Sequence, residues 1–365
     1  MVQGKKHCIV IGAGVAGLAS ALYLIQSGHN VTIIEKEAHI ASKNSLSNSG
    51  VIHSGIYYPK SSLKSKHCTH GKKLLIQFAE QNNIPFELCG KYIVARDDRQ
   101  IKKLESLYEN GLSVGLEEIQ WLSEDELRKT ELRHTSGINA IWVPSAGVIS
   151  VKNYTKKLLD KVLKFGGRLL TETECKEIKL DQNKVTVCCQ NNLSIEGDLL
   201  VNASGIKATQ ILSLMPKLPK NYSTKLGMGS YCFYNDEVPF NSLIYPVPEE
   251  HGLGIHITRS LDSDTKLGPN FSWAKSEQTE LNENIIEDFY HDLCGLWQNI
   301  KKDSISSGFA GFRPKLHINN ELYKDFLILQ PEEHNSLAIH LLGIESPGLS
   351  ASLSIGKEIS QRFKQ

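Results

Sequence analysis

The sequence has no strong excess of charge of either sign and no long apolar segment. Its 365 residues include 41 basic and 40 acidic side chains, which gives a formal net charge of +1. Because nucleic-acid binding relies on a concentrated positive field, this balance argues against a nucleic-acid partner. No apolar run reaches the roughly 18 residues of a membrane-spanning helix. We therefore expect a cytoplasmic protein and leave open a peripheral association with the inner face of a membrane.

Cysteine is present, but in no pattern typical of disulfides or metal ligation. The eight cysteines are scattered without a Cys-x-x-Cys pair: Cys8, Cys68, Cys89, Cys175, Cys188, Cys189, Cys232 and Cys294. We expect buried free thiols rather than a disulfide framework. The segment His67-Cys68-Thr69-His70 lacks a compatible second pair of ligands, so no metal site is predicted.

The N-terminal segment contains a strand, a glycine turn, a helix, a second strand and an acidic residue, in that order. The apolar run Cys8–Ile11 leads into Gly12-Ala13-Gly14-Val15-Ala16-Gly17, a predicted helix follows over 18–25, and the strand over 31–34 ends at Glu35. This order is typical of a dinucleotide site, in which the glycines permit a tight turn and a close approach to a pyrophosphate. The start of the helix offers N–H groups and a partial positive charge to the phosphates.

Glu35 restricts the kind of dinucleotide. It follows Gly17 at close to the expected spacing of about 20 residues, where a carboxylate would accept hydrogen bonds from ribose hydroxyls. A carboxylate there disfavours a 2′-phosphate, which leaves NAD or FAD.

The remaining sequence predicts further α/β elements around a β-rich middle. A long loop rich in Ser, Asn and Gly is expected over 38–59 and is of a length that is usually functional. Helices are predicted over Cys68–Asn82, Asp98–Asn110, Val151–Phe165, Glu280–Trp297 and a C-terminal segment ending at Phe363, with a capping box at Ser123–Glu126. Strands are predicted over Lys91–Ala95, Arg168–Leu170, Cys175–Leu180, Lys184–Cys189, Asp198–Asn202, Gly229–Tyr234, Leu243–Pro246, Gly252–Thr258, Phe326–Leu329 and Leu337–Leu342.

Several longer motifs carry a resemblance to a known family. They are Asn48-Ser49-Gly50-Val51-Ile52-His53-Ser54-Gly55-Ile56-Tyr57-Tyr58-Pro59, Ser62-Leu63-Lys64, Cys68, Gly71, Gly90-Lys91, Leu267-Gly268-Pro269-Asn270, Gly311-Phe312-Arg313-Pro314-Lys315 and Gly343-Ile344-Glu345-Ser346-Pro347-Gly348-Leu349-Ser350-Ala351-Ser352. In these motifs the chain resembles the FAD-dependent oxidoreductases of the D-amino-acid-oxidase superfamily, with the closest likeness to L-2-hydroxyglutarate oxidases and dehydrogenases. It departs from that pattern over Lys43–Ser47 and at Ser150, where the family commonly has Asp.

The resemblance implies an α/β protein with two interleaved domains and FAD as cofactor. A Rossmann-like FAD-binding domain of the glutathione-reductase type would comprise 1–85, 145–215 and 325–365. A substrate domain with an antiparallel sheet would comprise 86–144 and 216–324. The predicted cofactor-binding residues are Gly12, Ala13, Gly14, Val15, Ala16, Gly17, Glu35, Lys36, Ser45, Asn48, Ser49, Gly50, Val51, Ala203, Ser204, Gly205, Gly343, Glu345, Ser346, Pro347, Gly348 and Leu349.

The predicted chemistry is the oxidation of a 2-hydroxy acid. A hydride must pass from carbon to the flavin while a base takes the hydroxyl proton and a cation holds the carboxylate. Arg313 is the predicted anchor, because a guanidinium binds a carboxylate bidentately and superfamily members place an Arg in such a Gly-x-Arg-Pro turn. His53 and His256 are rival bases, since an imidazole suits proton transfer near neutral pH.

The other site residues and the function leave alternatives open. Tyr57 or Tyr58 would bind the substrate carboxylate, and Lys315 or Arg259 is a candidate for a second carboxylate. The leading function is oxidation of L-2-hydroxyglutarate to 2-oxoglutarate, with electrons passing to a quinone, another carrier or oxygen. The alternatives are an oxidase for glycine, sarcosine or D-amino acids, an NAD-dependent dehydrogenase and a redox-inactive FAD-binding interaction protein.

Overall fold

The protein has a mixed α/β fold. The computed structural model describes residues 5–216, 221–248, 254–261, 264–278, 280–332 and 337–363. The helices within these ranges are α1 (Val15–Gln26), α2 (Leu63–Gln81), α3 (Asp98–Ser113), α4 (Glu124–Leu127), α5 (Val151–Lys164), α6 (Ala208–Ser213), α7 (Ile285–Cys294) and α8 (Gly348–Arg362).

Strands run through the whole chain. In chain order they are β1 (His7–Ile11), β2 (Asn30–Ile34), β3 (Val51–Ile52), β4 (Phe86–Glu87), β5 (Lys91–Ala95), β6 (Gln120–Leu122), β7 (Asn139–Val143), β8 (Gly147–Ile149), β9 (Arg168–Leu170), β10 (Cys175–Asp181) and β11 (Lys184–Cys189). The second half contains β12 (Ser194–Gly197), β13 (Leu199–Asn202), β14 (Tyr222–Tyr234), β15 (Leu243–Pro246), β16 (Ile257–Arg259), β17 (Thr265–Leu267), β18 (Ser272–Ala274), β19 (Ile305–Ile318), β20 (Glu321–Leu322), β21 (Leu327–Leu329) and β22 (Ala338–Leu342).

The first sheet is mostly parallel and is covered on both faces. Its strand order is β21-β22-β13-β1-β2-β9, and β21 alone among these strands runs antiparallel to its neighbour. Cys8 and Val10 of β1 pack with the cluster formed by α1, α2, α5 and α8. Ile9 and Ile11 of the same strand pack against the β10–β12 meander. Burial on both faces explains why β1 is a continuous apolar run rather than an alternating one.

The second sheet is nearly all antiparallel and has α3 and α7 packed on it. Its order is β20-β19-β14-β17-β16-β15-β5-β7-β6, with β18 paired to β14. The exception to the antiparallel pattern is the pair β15–β5, which is parallel. The longest contact joins β14 and β19, in register from Tyr222↔Ile318 to Tyr234↔Ile305 with one irregularity. A third small sheet, β3-β8-β4, lies where the chain passes between the two large ones.

Most predicted elements are confirmed, several with different ends, but the sequence did not predict β19 or β3, which lies inside the loop expected over 38–59. The hairpin, β5, β9, β15 and the capping box at Ser123 and Glu126 form as predicted. The first helix begins at Val15 rather than at residue 18, and α2 begins at Leu63 rather than Cys68, because the Ser62 side chain caps it. The helix predicted over 280–297 is shorter, and it forms over 285–294. The strand predicted over 252–258 forms at 257–259, and residues 252 and 253 lie outside the described residues.

Candidate functional site

The glycine turn between β1 and α1 has the backbone geometry that a close-packed phosphate site requires. Gly12 has a φ of +102°, and a Cβ there would lie 2.6 Å from the carbonyl oxygen of Ala203. Only glycine tolerates both conditions. Gly14 is the N-cap of α1, and the Val15 N–H donates to Ser45 Oγ at 3.0 Å. The start of α1 therefore lies against the loop that contains Ser45.

Glu35 lies at the end of β2 and is held by backbone N–H groups. Its Oε2 accepts from the Ala13 N–H at 2.8 Å, and its Oε1 accepts from the Glu37 N–H at 2.9 Å. Each carboxylate oxygen has a second lone pair, so Glu35 remains able to accept from a ligand hydroxyl. Glu35 and Lys36 line a cavity that also includes Gly12, Ser204 and Gly205.

A second cavity adjoins the first and extends toward the β14–β19 sheet. The two cavities share Gly14, Asn44, Ser45, Ala203 and Gly205 in their walls. Of the predicted site residues, the second cavity is lined by Gly14, Val15, Ala16, Ser45, Asn48, Ser49, Val51, His53, Tyr58, Ala203, Gly205, His256, Arg313, Glu345, Ser346, Pro347, Gly348 and Leu349. The two cavities together form one elongated cleft. It is lined by the loop before β3, by the β14–β19 sheet and by the turn before α8.

Five predicted site residues lie next to this cleft without lining it: Ala13, Gly17, Gly50, Tyr57 and Gly343. Gly17 packs so closely on the Gly12 carbonyl that a Cβ would overlap it, which is the helix–strand role expected of the third glycine. The Gly50 N–H donates to Asn48 Oδ1 at 2.8 Å and so shapes the loop.

The turn before α8 carries a buried ion cluster. Glu345 Oε1 lies 2.8 Å from Lys64 Nζ, and Oε2 lies 2.8 Å from Lys315 Nζ. Burial opposes the ionisation of Glu345, but the two ammonium groups outweigh it and lower its pKa. Glu345 lines the cleft, as predicted for a cofactor residue, with its carboxylate oxygens directed to two lysines.

His53 is held at the junction of the loop and α8. Its backbone N–H donates to Ser350 Oγ at 2.9 Å, and Ser346 Oγ lies 3.2 Å from Nε2. Nδ1 is buried without a hydrogen-bond partner among the described residues. Burial, with smaller contributions from Lys91 and Arg313, lowers the His53 pKa to about 3. The imidazole is therefore neutral at physiological pH, and the same burial makes it a weaker base than an exposed histidine until a ligand changes its surroundings.

His256, the rival base, lines the same cleft and stacks on an aromatic ring. Its ring lies 3.7 Å from that of Tyr245, with 13° between the planes. Burial, with contributions from His53 and Arg313, lowers the His256 pKa well below its usual value. Both candidate bases are thus neutral imidazoles.

Arg313 enters the cleft from β19, opposite β14. It pairs in register with Gly227, and a Cβ at Gly229 would lie 3.4 Å from the guanidinium. The absence of a side chain at Gly229 therefore lets Arg313 and Pro269 pack close to the β14 backbone. Lys315 lines the cleft, but it is bound to Glu345. Arg259 is exposed, and it donates to Asn241 Oδ1 at 3.1 Å.

The structure adds cleft residues that the sequence did not single out. Tyr231, Tyr245 and Gly229 line the cleft beside Arg313. Tyr231 Oη lies 3.2 Å from Ser49 Oγ and so connects β14 to the N-terminal loop. The alternation of β14 predicts that some of its side chains face one side of the sheet, but no local signal identifies that side as the cleft.

The fold and the cleft define an FAD-dependent oxidoreductase, and comparison with known proteins agrees. The chain belongs to the DAO family of FAD dependent oxidoreductases, whose sequence model matches residues 7–362. It is 31% identical to the L-2-hydroxyglutarate dehydrogenase of Indibacter alkaliphilus, over 97% of both chains. It is 29% identical to the mitochondrial L-2-hydroxyglutarate dehydrogenase of Arabidopsis thaliana, over 100% of this chain and 84% of the plant protein.

A solved structure shares the fold. The dithionite-reduced L-alpha-glycerophosphate oxidase of Mycoplasma pneumoniae with FAD bound superposes with a TM-score of 0.91 at 24% identity. The match covers 100% of this chain and 96% of that one. Among the residues that this structure describes, none of the helices combines the length and apolarity that a bilayer crossing requires.

The residues present fit FAD, the cofactor of the family. The two adjoining cavities form an elongated space with Glu35 at one end and the His53 and Arg313 side chains at the other. The Gly12–Gly14 turn and the start of α1 lie between these ends, where a diphosphate would meet backbone N–H groups. The adenosine would lie near Glu35, and the flavin ring near the turn at Ser346–Gly348.

Glu35 provides a test of this cofactor placement. We expect Glu35→Ala to weaken FAD binding by on the order of 10- to 100-fold, because the ribose loses a charged acceptor and the turn loses its brace at Ala13. Titration of apoprotein with FAD, followed by quenching of flavin fluorescence, measures the change. Glu37→Ala, two residues further on, is the control. Unchanged FAD affinity in Glu35→Ala would contradict the placement of the adenosine.

Proposed function

We propose that this protein oxidises L-2-hydroxyglutarate to 2-oxoglutarate with FAD as the electron acceptor. The observation that carries the proposal is that a neutral imidazole, His53, and a guanidinium, Arg313, line one cleft beside the turn that begins α8. Oxidation of a 2-hydroxy acid needs a base for the hydroxyl proton and a cation for the carboxylate. The likeness to L-2-hydroxyglutarate dehydrogenases over nearly the whole chain supports this substrate.

Arg313 holds the carboxylate next to the reacting carbon. Its planar fork of N–H donors binds a carboxylate through two parallel hydrogen bonds and fixes the orientation of C2. Arg313 lines the cleft wall, where a ligand in the cavity can reach the guanidinium.

His53 accepts the proton of the C2 hydroxyl at Nδ1. This nitrogen has no hydrogen-bond partner among the described residues, while Nε2 faces the Ser346 hydroxyl. A proton on Nε2 donated to Ser346 would leave the Nδ1 lone pair free to act as the base. Bound FAD supplies the acceptor for the two electrons and the hydrogen that leave C2 as hydride.

The catalytic cycle closes when a second acceptor removes the two electrons. This acceptor is a quinone, another carrier or oxygen, and a bilayer quinone would require the peripheral membrane contact left open by the sequence. Hydrogen peroxide formation in air separates oxygen from the other acceptors, which are supplied as a soluble quinone or a redox dye.

Anaerobic reduction of the flavin tests the proposed substrate. We expect L-2-hydroxyglutarate to bleach the flavin absorbance of the purified holoprotein, and the D enantiomer to leave it unchanged. Glycine, sarcosine and D-amino acids are included because they are the substrates of the alternative oxidases. Bleaching by an amine but by no hydroxy acid would refute the proposed function.

A substitution at His53 tests the base. We expect His53→Gln to lower kcat by about 100- to 10,000-fold, because general-base catalysis contributes that much, while FAD stays bound. Single-turnover flavin reduction by stopped flow measures the effect. His70→Gln, which alters an exposed histidine on α2, is the matched control. If His53→Gln reduces its flavin at the wild-type rate, the proton goes elsewhere, and His256 becomes the candidate.

Arg313 is tested in the same way against the exposed Arg259. We expect Arg313→Met to lower kcat/KM by about 100- to 1,000-fold, because the substrate carboxylate then has no charged partner at C2. Arg259→Met is expected to behave as wild type. Equal losses of kcat/KM in Arg313→Met and Arg259→Met would contradict the assignment of Arg313 as the carboxylate anchor.

A further inference from the structure

Lys91 is a buried lysine that the proposed reaction does not yet use. It opens β5 and is 0% exposed. Its Nζ lies over two aromatic faces, 4.3 Å from the ring centroid of Tyr57 and 5.0 Å from that of Tyr245. Tyr245 lines the cleft, so the ammonium lies directly behind the cleft wall.

The Lys91 ammonium has no anionic partner in the described part of the protein. Nζ forms no hydrogen bond and no ion pair with any described residue. Cation–π contacts offset only part of the cost of burying an ammonium, which is seldom found without a partner. An anion supplied by a ligand would meet this requirement.

Other orphaned polar groups surround the same place. Buried atoms without a partner among the described residues include His53 Nδ1, Tyr57 Oη and both ring nitrogens of His256. The charges of Lys91 and Arg313 both act on His53 and on His256, so the two imidazoles lie within reach of both cations. Two positive charges and several polar atoms without a partner among the described residues therefore lie in or just behind the wall at this end of the cleft.

The other basic residues considered for a second carboxylate are already engaged. Lys315 and Lys64 share the Glu345 carboxylate, and Arg259 is exposed and bonded to Asn241. Lys91 is the buried lysine near the imidazoles that still lacks a counter-charge in the described structure.

We propose that Lys91 is a specificity-determining residue that selects a substrate with two carboxylates. Arg313 binds the carboxylate next to C2, and the Lys91 charge stabilises the distal one from behind the Tyr245 ring. The inference rests on the proposed function for the identity of the substrate. It goes beyond that function by assigning the preference for a dicarboxylate to one side chain.

The charge on Lys91 predicts that the preference for a dicarboxylate depends on pH. Burial lowers its pKa to about 7, so the positive charge is present below that pH and lost above it. Of the other groups facing it, His53 titrates near 3, Cys68 is raised to about 12, and the pKa values of Tyr57 and Tyr245 are raised by burial. Burial also lowers the pKa of His256 well below its usual value. It lowers the pKa of Lys72 as well, and the Lys72 Nζ donates to Ser145 Oγ.

The experiment compares a dicarboxylate with a monocarboxylate of matched length. Binding of glutarate and of valerate to the FAD-loaded protein is measured by calorimetry, alongside kcat/KM for L-2-hydroxyglutarate and L-2-hydroxyvalerate. We expect Lys91→Met to reduce the preference for the two-carboxylate member of each pair by on the order of 10- to 100-fold, mainly through Kd and KM. The monocarboxylate values should change little.

Lys72→Met is the matched control, because it also removes a buried lysine near the site; since the Lys72 charge lowers the pKa of Lys91, this variant should keep the wild-type preference or increase it. An unchanged glutarate preference in FAD-loaded Lys91→Met would overturn the inference. If Lys91→Met loses the glutarate preference that wild type shows over valerate, but wild type is reduced by no hydroxy acid, the proposed function fails while the role of Lys91 stands.

If Lys91→Met fails to fold, a comparison of wild type with Lys91→Arg tests the role of Lys91 instead. In wild type, the glutarate preference should fall as the pH rises from 6 to 9, since both carboxylates of glutarate are ionised throughout and Lys91 loses its charge. Lys91→Arg keeps its charge over this range, so its preference should stay constant. A preference that falls equally in both proteins would refute the assignment.

Discussion

The buried carboxylate of Glu345 is the interaction on which the arrangement of the cleft depends. It joins Lys64 at the start of α2, Lys315 on β19 and the turn that begins α8. The three side chains are between 9% and 22% exposed, so the pairs are only weakly screened by solvent. Removing the Glu345 carboxylate would leave two uncompensated ammonium groups, and breaking a buried pair in this way typically costs about 3–5 kcal/mol. The cluster thus holds the β14–β19 sheet against the helical layer of the parallel sheet.

Close backbone contacts complete this arrangement around the N-terminal loop. Gly311 of β19 packs so tightly on the Ser47 carbonyl that a Cβ would overlap it. On the other side, Ser45 Oγ caps the Val15 N–H and Ser49 Oγ meets Tyr231. The loop is therefore fixed between α1 and the second sheet. His53 follows it directly, so the position of this imidazole, the proposed base, is determined by contacts from both sheets.

The sequence predicts those parts of the site whose signal is local. The glycines at 12, 14 and 17, the strands around them and Glu35 lie within one β-α-β unit, so spacing alone orders them. The motifs around His53, Arg313 and Gly348 indicate chemistry, but only tertiary structure brings them into one cleft. The same limit applies to Lys315 and Arg259, which look alike as basic residues on strands. One is bound to a buried carboxylate and the other is exposed, because their long-range neighbours differ.

Local charge at the cleft differs sharply from the near-neutral composition of the whole chain. Four basic side chains, Lys64, Lys91, Arg313 and Lys315, lie in or beside it with the carboxylate of Glu345. Because Glu345 is committed to two lysines, the field at His53 is set mainly by Lys91 and Arg313. Burial is the larger cause of the low His53 pKa and the field adds to it, so both keep the imidazole unprotonated and both oppose the positive charge that His53 would gain as a base. In the proposed complex, a substrate with two carboxylates would offset both cations and raise the His53 pKa, which links the proposed recognition of the substrate to the proposed role of His53 as the base.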